Sequence, residues 1–366
     1  MNRSFSIMLL AMFLIIPNGV QVLAGGIDFN GDLRLRYERQ SEEGSEVRQR
    51  ARFRLRLGGT AEVNNRVKTG FGFASGSDSP TSTNQTLENN FDSPDTRIDY
   101  VYVQYSPVAW AKIYGGKFKR SVVIWQASDL LWDSDINPEG AAVSLNQNSN
   151  GAVNFFSNIG FFILDESSSD ASDPIMYTFQ PGCVWKIGGN TTLKTAVVYY
   201  GFNGVKGDVL EHSSGSNTSA GLDTTGAPDG IYKYNYNSLN PSIEIGITNT
   251  LVGYFALFSE YITNSDPSDN NTGYLYGFKF GDESVKEKNQ WQISYSYKKL
   301  EKDAWLDVFN NGSFHGGETD VKGHKASFSL GLAKNIDCGV TYFSTKNMSG
   351  AITPENITQV NLSLAY

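Results

Sequence analysis

Three histidines, two cysteines and no apolar run of membrane-helix length are all that this chain of 366 residues offers to most familiar chemistries. Nucleophilic hydrolysis needs a Ser or Cys held against a His at a fixed site. Here His212 and His315 fall in polar connections and His324 at the start of a strand candidate, with no nucleophile motif beside them. All three are expected on the solvated surface, and so scattered a set makes no zinc cluster. No cofactor or metal is expected. Cys183 and Cys338 lie far apart in separate strand candidates, which reads as two small lipid-facing residues rather than a structural disulfide. With 38 acidic against 30 basic residues, general nucleic-acid binding is excluded as well.

The clearest apolar run, Phe5 to Ile16, is shorter than the roughly 20 residues a membrane helix requires. Arg3 before it and Val22-Leu23-Ala24 after it give it the layout of a secretory signal. Residues 1–24 are therefore expected to be removed on export, leaving 25–366 as one domain without an internal linker. If that domain enters a membrane, it does so without helices. Its 19 Tyr, 22 Phe and 37 Gly, with 40% hydrophobic residues, suit strands that give one face to lipid and the other to water.

What recurs along the chain is alternation. Ile27, Phe29, Leu33, Leu35 and Tyr37 interleave with Asp28, Asn30, Asp32, Arg34, Arg36 and Glu38. Trp291, Ile293, Tyr295 and Tyr297 interleave with Gln290, Gln292, Ser294, Ser296 and Lys298. A period of two puts each set on its own face of a strand. Sixteen such segments can be drawn between residue 27 and residue 366, and compact connections such as Lys334-Asn335 alternate with longer polar ones such as 120–138 and 301–319. That rhythm of short turns and long loops predicts an all-β, transmembrane antiparallel β-barrel of sixteen strands in the outer membrane of a Gram-negative bacterium. One stretch, Leu251 to Tyr261, is apolar on both faces and is expected either against a neighbouring subunit or under an inward loop.

The last strand alternates Val360, Leu362, Leu364 and Tyr366 with polar residues, and a terminal aromatic there resembles the signal read by the barrel-assembly machinery. Near the other end stands an arginine ladder, Arg48, Arg50, Arg52, Arg54 and Arg56, joined by Arg34 and Arg36 on the preceding strand. In lipid each would cost roughly 2 to 4 kcal/mol at the midplane. The ladder must line the lumen. Guanidiniums so stacked repel, and Asp129, Asp133, Asp135 and Glu139, in and after the third external connection, are the expected counter-charges if that loop folds inward; otherwise they solvate a surface loop. Asp28, Asp32 and Glu38 are nearer but read as secondary.

Gly116-Lys117-Phe118-Lys119-Arg120 followed by Asp129-Leu130-Leu131-Trp132-Asp133-Ser134-Asp135-Ile136-Asn137-Pro138-Glu139-Gly140 resembles the corresponding loop of the Putative porin family of proteobacteria, and Gly31 to Tyr37 is similar to that family's opening strand. The resemblance implies a general porin, a water-filled channel for passive diffusion of small hydrophilic solutes and ions, and a homotrimer. Outer-membrane lipid, lipopolysaccharide and the assembly machinery are its implied surroundings. A substrate-specific anion channel for carboxylates or phosphates shares every feature, and an outer-membrane hydrolase is the remaining rival.

Overall fold

The computed structural model describes residues 26–147, 151–166, 173–251 and 253–366; the export signal expected at 1–24 lies outside them. Sixteen strands form the wall: β1 (Ile27–Glu42), β2 (Arg48–Glu62), β3 (Val67–Ser75), β5 (Thr96–Val108), β6 (Ala111–Lys117), β7 (Glu139–Asn146), β8 (Val153–Ile163), β9 (Ile175–Ile187), β10 (Thr191–Asn203), β11 (Ser238–Thr250), β12 (Gly253–Asn264), β13 (Thr272–Gly281), β14 (Trp291–Leu300), β15 (Val321–Ala333), β16 (Ile336–Asn347) and β17 (Glu355–Ala365). The two-residue β4 (Gln85–Thr86) pairs with β2 at Arg52 and Phe53, extending the ladder where β3 stops. Each wall strand is antiparallel to its neighbours in sequence, and β17 pairs with β1 to close the sheet. Among the described residues no helix is long and apolar enough to cross a membrane.

Alternation explains which residues form this wall. Phe155, Ile159, Phe161, Tyr177, Phe179, Val340 and Tyr342 are exposed on the outside, while the opposite parity, including Gln180, Glu260 and Gln359, is buried inside. Cys183 and Cys338 both fall on the outward parity, as expected, and both are free thiols. The tight turn between β15 and β16 places Asn335 at φ 58°, a left-handed conformation that Asn tolerates. Such turns gather at one end and the longer connections at the other.

The seam is held beyond the last strand residue. Tyr366 N donates to Gly31 O (3.0 Å) and Gly31 N to Tyr366 O (2.9 Å). The Tyr366 ring lies 2.6 Å from where a Cβ on Gly31 would stand, so only glycine fits beneath it. Val360 and Leu362 continue the outward rows of Val340 and Cys338.

β7 begins on another position that requires glycine. Gly140 has φ +143°, and an added Cβ would strike the Phe161 carbonyl and sit 3.1 Å from Phe162 Cα. Gly140→Ala should cost about 1 to 3 kcal/mol, read as a lowered urea midpoint of the detergent-solubilised barrel by tryptophan fluorescence. An unchanged midpoint would show that the strand relaxes around the methyl group.

Candidate functional site

The arginines occupy the inner face of β1 and β2 in a fixed order. Across the pair, Asp32 faces Arg56, Arg34 faces Arg54, Arg36 faces Arg52 and Glu38 faces Arg50. Two directly opposed guanidinium pairs in the middle are unfavourable on their own, and the acids at either end gather them. Asp32 accepts from Arg54 Nη2 at 2.7 Å and Arg56 Nε at 2.7 Å. Glu38 pairs with Arg50, with Arg52 at 3.5 Å and with Arg36 at 3.8 Å. Amides complete the set: Arg34 Nη2 donates to Asn84 Oδ1 (2.6 Å) and Arg36 Nε to Asn361 Oδ1 (2.7 Å). Arg48 lies exposed at the outer end of β2.

This corrects the expected balance. Asp32 and Glu38, two residues of the same strand pair, neutralise the wall first, and of the four loop acids only Asp135 reaches it, at 3.5 Å from Arg56 and 4.0 Å from Arg54. Glu139 faces the outside and pairs with Lys117 there. Asp129 meets Lys325 Nζ at 2.7 Å, on β15. Burial alone would raise its pKa, but the Lys325 ammonium overrides that and holds the carboxyl at about 2. Asp133 accepts from the Asp135 and Gly312 backbone amides. His315 was expected in solvent and is instead buried, with Nδ1 3.2 Å from Thr345 Oγ1; His324 sits exposed on the lipid-facing parity of β15, with Nδ1 2.7 Å from the Tyr295 hydroxyl.

Residues 118–138 leave the wall after β6 and are tied to it at successive points. Trp125 N donates to Gln180 Oε1 (2.8 Å) on β9, and Gln180 Nε2 returns a bond to Trp125 O (2.6 Å). Ala127 N and Ser128 Oγ both donate to Glu260 on β12, at 2.9 and 2.6 Å. Asp129 then reaches β15 and Asp135 reaches β2, where Thr83 N and Oγ1 also donate to it at 3.0 and 2.9 Å. Every one of these wall partners lies on the inward parity.

A second long connection, 301–320, packs on the first. The Trp132 and Phe309 rings stack with centroids 4.5 Å apart, Trp305 lies edge-on to Tyr200 of β10 at 4.6 Å, and Asp133 N donates to Phe309 O (2.7 Å). The connection 204–237 locks it in turn: Ser213, Ser214, Ser216 and Tyr232 all donate to Asp307, and Thr218 and Tyr236 to Asp303. Phe258 and Ile262 of β12 belong to the same apolar cluster, which is why that strand is greasy on both faces. The signal for this was Ala304-Trp305-Leu306 and Val308-Phe309, a concentrated apolar stretch inside a connection otherwise read as polar.

Between the loop and the arginine wall a cavity of about 320 Å³ remains, lined by Asp32, Arg56, Tyr100, Lys119, Asp135 and Asn137. Charges of both signs line it, with Arg56 in ion-pair contact with both Asp32 and Asp135.

Solved structures that share this architecture include porins and an outer membrane channel. The chain is similar over 93% of its length to a triple mutant of the Rhodopseudomonas blastica porin (11% identity, TM-score 0.50, all of that chain), to the outer membrane channel DcaP of Acinetobacter baumannii (12%, 0.51, 97%) and to OprB of Pseudomonas putida (10%, 0.60, 94%). At such identities the likeness shows the fold. No curated protein matches the chain in sequence. The model of the Putative porin family matches residues 41–239 and 234–366, and the chain belongs to that family. It is a porin of the outer membrane, and both family and fold are those of a channel.

Two measurements probe the loop clasp. Trp305→Ala with Phe309→Ala removes aromatic packing worth several kcal/mol, about 3 to 5 for one such ring, and should raise single-channel conductance and noise; unchanged conductance from a folded variant would place loop 301–320 outside the limits of the conduit. Burial, and then Asp135 alongside, pushes Asp133 up to about 7 from an ordinary 3.8. The folded state therefore keeps a proton that the unfolded chain has lost between about pH 4 and pH 7, and stability should fall as pH rises through that window. Asp133→Asn should flatten the decline in thermal midpoint from pH 4 to pH 8; an equally steep decline would assign it to other groups.

Proposed function

We propose that this porin is a general diffusion channel, a water-filled path for small hydrophilic solutes and ions whose narrowest part lies between the arginine wall and the in-folded loop. The observation that supports it is Asp135 set against Arg54 and Arg56 beside the cavity. Opposed charges in a narrow passage create a transverse field that orders water and favours small polar solutes over apolar ones. In this reading Arg34, Arg36, Arg50, Arg52, Arg54 and Arg56 line the pore, Arg48 sits at its mouth, and Asp129 and Asp133 hold the loop instead of facing the solute. The chain is exported with residues 1–24 removed, the single domain 25–366 is delivered through its terminal strand to the barrel-assembly machinery, and it works as a homotrimer among outer-membrane lipid and lipopolysaccharide.

A second reading has one observation in its favour: of the six inward guanidiniums, five pair with just three carboxylates, Asp32, Glu38 and Asp135, and Arg34 is held by Asn84 instead. That excess suits a channel that binds carboxylates or phosphates. Single-channel recording in planar bilayers separates the two. A general porin conducts in proportion to salt, whereas an anion-specific channel saturates and is blocked by its solute. Without discrete conductance, both readings are lost. Replacing Arg50, Arg52 and Arg54 together by Gln brings the wall to charge balance, and the reversal potential across a salt gradient should move towards cations. A potential that stays put would place these arginines away from the path of the ions.

A further inference from the structure

We infer that the outer face of β14, β15 and β16, at the long-loop rim, is a binding site for the phosphate groups of outer-leaflet glycolipid. In the strand register Lys299 lies directly opposite Lys322, and Lys322 directly opposite Lys346. All three are on the parity of Ile293, Tyr295, Phe328 and Tyr342, the lipid-facing side. Neighbouring strands are about 4.8 Å apart, so three ammonium-bearing side chains stand in a row about 10 Å wide.

Like charges set directly across a sheet destabilise it unless an anion intervenes. The protein supplies only one. Lys299 Nζ reaches Glu301 at 2.8 Å, while Lys322 and Lys346 meet no carboxylate within ion-pair distance among the described residues. On the opposite side of the barrel the outward Lys117 has its own acid, Glu139. The row is thus a local excess of positive charge, and an ammonium can only donate hydrogen bonds.

The rows beneath fix what the anion belongs to. One step towards the membrane centre, Tyr276, Tyr297 and His324 form an aromatic shelf, with ring centroids 5.6 Å apart for the tyrosines and 5.0 Å for Tyr297 and His324. Two steps further, Ile293, Phe328 and Val340 are wholly apolar. Apolar band, aromatic girdle and lysines succeed one another as hydrocarbon, interface and headgroup do. Lysine stems lie along the apolar surface and lift their charges to headgroup height. The long-loop end of the barrel stands in the outer leaflet, whose lipopolysaccharide carries phosphates.

This inference rests on the outer-membrane placement and is independent of what the pore conducts. The test uses the whole mature protein in detergent, titrated with bisphosphorylated lipid A, with the same lipid dephosphorylated and with inorganic phosphate, and read by native mass spectrometry. The wild type should bind the phosphorylated lipid in preference to the other two. Lys322→Gln with Lys346→Gln should weaken that binding roughly twenty-five-fold, at about fivefold for each lysine near a charged surface, and Lys322→Arg with Lys346→Arg should keep it. Single-channel conductance should be the same in all three proteins, so a lost channel and a lost lipid site are distinct results. Equal binding by wild type and the Gln variant would overturn the site, and so would equal binding of the dephosphorylated lipid. Inorganic phosphate binding as tightly as the lipid would overturn the lipid as occupant. A Gln variant that changes oligomeric state while binding lipid normally would reassign the lysines to a contact between copies.

Discussion

The constraint on which everything else depends is that hydrocarbon offers no partner to a backbone amide. A sheet in lipid must close, and closure divides every strand into a face that sees acyl chains and a face that sees the lumen. The two bonds between Gly31 and Tyr366, beyond the last residue of β17, belong to that requirement. Once the ring is closed, charge has one place to go within the membrane. The arginines of β1 and β2 are inside because lipid forbids them outside, and the sheet then forces them opposite one another.

That enforced juxtaposition organises the polar half of the interior. Asp32 and Glu38 occupy the two ends of the array, and each spreads its negative charge over more than one guanidinium. Asn84 and Asn361, from a loop and from the far side of the seam, take donors that the acids do not reach. The apolar half has a different logic: Trp132, Trp305 and Phe309 interlock at the level where Tyr200, Phe258 and Ile262 project inward. The lumen is divided, and solvent is left the side that carries the charges.

Alternation made the wall legible from the sequence, because a period of two is a property of single residues and needs no knowledge of their partners. Boundaries are harder to read: β11 starts only at Ser238, since Tyr236, which fits an alternating pattern, turns at φ 62° to bring its hydroxyl to Asp303. The site was legible in half. The inward arginines follow from the cost of charge in lipid, and the loop that carries Asp135 was identified by its acids. The pairing of acid with base was misjudged, because the register that puts Glu38 opposite Arg50 is a relation between strands, and the nearest carboxylate in space is also the nearest in the hairpin. The packed connection 301–320 looks polar in the sequence because of Asp303, Asp307, Asn310 and Asn311, yet Tyr236 donates to Asp303, Tyr232 and Ser216 donate to Asp307, and Asn311 donates to Asp129.

The anchors of the in-folded loop also set an order of events. Gln180 lies 55 residues beyond Trp125, Glu260 133 beyond Ala127, and Lys325 196 beyond Asp129. Bringing segments so distant in sequence together is slow. The loop is therefore held in place only once strands from both halves of the wall have come together. Until β15 is in place, Asp129 lacks the Lys325 ammonium that it holds in the finished barrel.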